Sequence, residues 1–71
     1  MGKYSISDFQ VGDSVYHLSN ASLKMVVIDI NTSLYQVTCR WIDASGLKYE
    51  DELFPQELGK SSDLGLGIYL I

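Results

Sequence analysis

The amino-acid sequence predicts an all-β domain, a small barrel of four to five short antiparallel strands. Three observations carry that expectation. Apolar and polar residues alternate with a period of two in several short segments, the mark of half-buried strands. Clusters of turn formers, among them Ser19-Asn20-Ala21-Ser22, Asn31-Thr32-Ser33 and Asp43-Ala44-Ser45-Gly46, separate those segments. No stretch repeats its apolar residues at helical spacing. The 71 residues make one domain spanning 1–71, with 46% hydrophobic and 20% charged residues, a composition that folds rather than one that stays disordered. A chain of this size buries only ~60% of the surface its unfolded form exposes, so each large apolar side chain weighs in the core.

The strands are expected at 14–18, 24–30, 34–42 and 47–54, with 66–71 as a fifth. Gly12-Asp13 makes the turn into the first, because glycine accepts positive φ and the aspartate accepts nearby backbone N–H groups; Phe9 and Val11 are expected to cap the open end. Met25-Val26-Val27 lies in the second. The third has the clearest pattern, with Tyr35, Val37, Cys39 and Trp41 on one face and Gln36, Thr38 and Arg40 on the other. The fourth sets Leu47, Tyr49 and Leu53 against Lys48, Glu50 and Glu52. Pro55, the single proline, suits a turn or one turn of 3₁₀ helix that ends this strand. Residues 9–58 then form the barrel core, 59–63 a flexible linker and 64–71 an apolar C-terminal strand.

Parity suggests a register for the central hairpin. Trp41 is expected opposite Leu47 and Cys39 opposite Tyr49, with Gly46 supplying positive φ in the loop. The same register sets Arg40 against Lys48, and Val37 against Asp51, a mismatch that predicts a bulge or fraying. Short antiparallel strands in so small a chain favour a bent sheet that curls into a barrel of the SH3-like kind, since closure removes exposed edges, with an open meander of four strands as the second architecture.

Three blocks carry a resemblance: Phe9-Gln10-Val11-Gly12-Asp13-Ser14-Val15, then Met25-Val26-Val27, then Cys39-Arg40-Trp41-Ile42-Asp43 followed by Gly46 and Glu57-Leu58. In order and spacing they resemble the YodC-like family of small uncharacterised bacterial proteins, over about residues 9–58. The departures are a Ser19 to Lys24 stretch in place of a glycine-proline turn, Ile42 where an aromatic residue is usual, and Leu53 followed by Phe54. The resemblance implies an SH3-like barrel and a small bacterial or phage-type protein. Gly12-Asp13-Ser14-Val15 also resembles the start of KOW-type modules of the transcription and translation machinery.

The chemistry points to binding. One cysteine and one histidine make neither a disulfide nor a structural zinc site, so no metal and no cofactor are expected. Cys39 lies mid-strand on the apolar face, where free cysteine packs as a small hydrophobe, and His17 reads as a strand residue at an edge; no catalytic residue is assigned. Glu50-Asp51-Glu52 alternates across a strand and reads as a charged edge that discourages aggregation. The net charge of −4 with scattered basic residues argues against nucleic acid. The chain is therefore expected to be a non-enzymatic module that binds an unidentified protein partner. Tyr16, Arg40 and Tyr69 are the candidate binding residues, and 64–71 offers a strand to a second copy. Alternatives are a KOW-like nucleic-acid or ribosome contact using Arg40, Lys48 and Trp41, and an acidic phage-type inhibitor. The absence of a signal-peptide pattern and of a membrane-length apolar run predicts a cytoplasmic setting.

Overall fold

Five antiparallel strands form one sheet in the computed structural model of the chain, which describes residues 3–64. They are β1 (Ser14–His17), β2 (Asn20–Asn31), β3 (Gln36–Ile42), β4 (Lys48–Leu53) and β5 (Leu58–Lys60), in the spatial order β4-β3-β2-β1-β5. Short 3₁₀ turns occupy Ile6–Asp8, Pro55–Glu57 and Ser61–Asp63. The all-β class is as expected. Closure is not: β4 and β5 stand at opposite edges and do not pair. The barrel is therefore corrected to an open, curled sheet. β5 has three residues, too few to zip along β4, and every position of β4 but Leu53 is exposed.

The second strand organises the sheet. Its first half pairs with β1 through Val26, Met25 and Lys24, and its second half pairs with β3 from Val26 to Asn31. A bulge falls between Val27 and Asp29, leaving Ile28 as the extra residue, and such an insertion bends a strand and increases its twist. The bend lets one strand serve two neighbours and brings a single core together: Phe9, Val15, Met25, Val27, Val37, Cys39 and Leu58, with Trp41, Leu53 and Ile30 packed around it. Gly12 enters β1 at φ 100°, its N–H reaching the Val27 carbonyl at 2.8 Å, while the Asp13 carboxylate accepts the Gln10 N–H at 2.9 Å. Phe9 caps the core as expected, but Val11 is 64% exposed and does not.

Four further expectations are corrected. The third strand starts at Gln36; Leu34 and Tyr35 belong to the turn before it, where Tyr35 takes φ 57° and leaves the core face. The hairpin register is shifted by two residues, giving Trp41 opposite Tyr49, Arg40 opposite Glu50, Cys39 opposite Asp51 and Val37 opposite Leu53. The loop explains the shift. The Asp43 carboxylate accepts the Ser45 and Leu47 N–H groups and the Ser45 and Tyr49 hydroxyls, which places Leu47 in the turn and stacks Tyr49 on Trp41 at 5.6 Å. A shift of two preserves every side chain's face, so the predicted inside and outside survive. It also matches Val37 with Leu53, so β4 pairs without fraying. Finally, the linker expected at 59–63 is β5 and the Ser61–Asp63 turn, so the observed fifth strand is Leu58–Lys60. The strand expected at 66–71 lies outside the described residues.

Candidate docking surface

Pairing fixes which residues share the outer face. Ser14, Val26, Arg40 and Glu50 form one row across four strands, because each is the partner of the next. Tyr16 and Lys24 begin a second row, and Ile42 and Lys48 continue it on β3 and β4. Between the rows runs a shallow groove of about 410 Å³, walled by Val26, Ile28 and Ile42 and flanked by Ser14, Lys24 and Arg40. Val26 is 46% and Ile42 59% exposed, so this apolar patch faces solvent. The cause is the run Met25-Val26-Val27-Ile28: its alternate members fill the core, and the others are left outside.

The cations at its border differ in their commitments. Arg40 donates Nε and Nη2 to one oxygen of Glu50, at 2.9 and 2.6 Å, an exposed pair worth at most about 1 kcal/mol. Lys24 has no ion-pair partner among the described residues. Of the expected binding residues, Arg40 borders the groove, and Tyr16 shares the outer face but is half-buried. The Tyr16 ring occupies the space where Gly59, its partner on β5, lacks a side chain, and it lines a separate small hollow with Tyr4, Leu18 and Asp63. Tyr69 lies outside the described residues. Sequence reasoning missed Lys24, Val26, Ile28 and Ile42. The available signal was the unbroken apolar run in β2, more than a strand with one wet face needs.

The inner face is chemically quiet. Cys39 is fully buried, and burial, with a smaller contribution from Asp51, pushes its thiol up to about 11, so it stays protonated and unreactive at neutral pH. His17 accepts the Ser19 N–H at Nδ1 (3.1 Å), which leaves Nε2 to face Glu57 at 3.1 Å. The Ser19 hydroxyl sits 2.7 Å from the same Nδ1. Hydroxyl and N–H of one serine converge on a single lone pair, which is turn closure two residues downstream. Glu57 is held below the usual carboxylate range, first by the Phe54 N–H and then by His17. Together these contacts tie the β1–β2 turn to the Pro55–Glu57 turn, beside a depression lined by Trp41, Asp51 and Leu53. That depression joins residues of β1 with residues of β4, which shows how far the sheet curls.

No group of three or more His, Cys, Asp or Glu side chains is placed to hold a metal among the described residues, and no helix there is long and apolar enough to cross a membrane. Compared with known proteins, the chain matches no family model, no curated protein and no solved structure.

Proposed function

We propose that this chain is a small, non-enzymatic binding module that docks a protein segment in the outer groove of its sheet. One observation carries the reading: the exposed Val26 and Ile42 and the half-buried Ile28 form one apolar cluster on the outer face of β2 and β3, whose other face fills the core. Apolar side chains gathered at one groove with a polar border are the pattern of a contact surface. The buried neutral thiol and the fully engaged imidazole support a binding role over nucleophilic chemistry.

Nucleic-acid binding draws less support. The Trp41 ring is stacked on Tyr49 and Arg40 is paired with Glu50, so neither the aromatic face nor the guanidinium stands free for a base or a phosphate. The inhibitor reading needs a row of carboxylates, and on the outer face of β4 Arg40 already neutralises Glu50.

Affinity capture with the intact chain and with a Val26→Glu/Ile42→Glu variant tests the proposal. The expected result is a protein retained by the first and lost by the second, with both giving well-dispersed amide spectra. Identical captured sets from the two folded proteins would refute it.

A further inference from the structure

We infer that the segment accepted by this groove is extended and apolar, with an aspartate or glutamate side chain at the end that meets Lys24. The inference rests on the docking reading above and adds the partner's chemistry. The outer face as a whole balances Lys24, Arg40 and Lys48 against Asp29, Glu50 and Glu52, but the charged residues that border the groove, Lys24 and Arg40, are both basic. No acidic side chain lines the groove itself. Arg40 gives two of its five N–H donors to Glu50, and among the described residues nothing takes its others or any of the three Lys24 donors. The wall from Lys24 to Ile28 spans about 13 Å at ~3.3 Å per residue, room for four to five residues of extended chain. A carboxylate at the Lys24 end of such a segment then meets that lysine, with Arg40, the partner of Val26, beside its middle, while its apolar residues cover Val26 and Ile42.

The test uses the full chain with labelled Ile and Val methyl groups and three peptides that share one Leu-Thr-Ile centre, flanked by Glu, by Ser or by Lys. The Glu-flanked peptide is expected to shift the Val26, Ile28 and Ile42 methyl signals with about fivefold tighter binding than the Ser-flanked one, and the Lys-flanked peptide to bind weakest. Lys24→Glu should narrow or reverse that order while leaving the amide spectrum dispersed. Equal binding of all three peptides overturns the acidic preference and leaves the docking reading standing. Methyl signals unmoved by every peptide overturn both. If dilution of the free chain moves these methyls, the occupant is a second copy; if removal of residues 65–71 moves them, it is the chain's own terminus. Either result displaces the acidic segment.

Discussion

Replacing Gly59 by alanine tests how the edge of the sheet is held. Gly59 pairs with Tyr16, and a Cβ there would lie 2.5 Å from the Tyr16 hydroxyl oxygen and 2.7 Å from Cε1, well inside contact distance. The Gly59 backbone itself admits alanine, so the cost falls on the ring, which must swing off the strand. If that re-exposes roughly 60 Å² of aromatic surface, the loss is about 1.5 kcal/mol at ~25 cal/mol/Å². Against it stands a gain of about 0.5 kcal/mol from restricting the unfolded chain. Gly59→Ala should therefore destabilise by about 1 kcal/mol. In a Tyr16→Ala background the space is empty, and the same change should stabilise by about 0.5 kcal/mol. Urea unfolding of the four proteins of this cycle measures a coupling of about 1.5 kcal/mol. A coupling below about 0.3 kcal/mol would mean that the ring does not occupy the glycine's missing side chain, and the reasoning would fail.

Other consequences are open to measurement. Cys39, buried and with its thiol raised to about 11, should react with a thiol reagent at neutral pH only at the rate of unfolding; fast labelling of the native protein would contradict its burial. Tyr35, at φ 57°, should give way to glycine with a gain of about 1 kcal/mol in urea unfolding, because only glycine adopts that backbone without cost. The Asp43 carboxyl is lowered to about 2, chiefly by the Ser45 hydroxyl and then by the Leu47 N–H and the Tyr49 hydroxyl. A depressed folded-state value means that its contribution is complete above pH 4 and is lost as the pH falls toward 2, so Asp43→Asn should flatten the acid limb of the stability curve.

Much of the fold was legible because period-two alternation is a local signal. Val37, Cys39 and Trp41 share a face in any register, and the two-residue error in pairing left that face unchanged. The error arose because parity says nothing about which turn residues collect hydrogen bonds, and Asp43 collects four. Tyr35 misled for a related reason: it continues the alternation of β3 by one step, yet the turn from β2 needs a residue at positive φ there. The strand at Leu58–Lys60 was illegible, since three residues with a central glycine carry no alternation; it exists because Gly59 lets the Tyr16 ring lie across it.

The groove was legible only in part: the apolar run of β2 signals a second apolar face, but nothing in it marks the bulge that shapes the wall. In β2 the partners of Val27 and Asp29 are Cys39 and Thr38, consecutive residues of β3, so the ladder has no place for Ile28. A one-to-one ladder without it would still set Val27 and Ile30 inward and Asp29 outward. Pairing therefore does not require an isoleucine at the bulge, and neither does the core, which takes the buried Val27 before it and the partly buried Ile30 after it. What Ile28 adds is local twist and one apolar wall of the outer groove, beside Val26 and Ile42. A polar residue at that position would carry the same backbone and leave the outer face wet. A large apolar side chain standing where neither register nor core calls for one is the physical argument that supports the docking proposal.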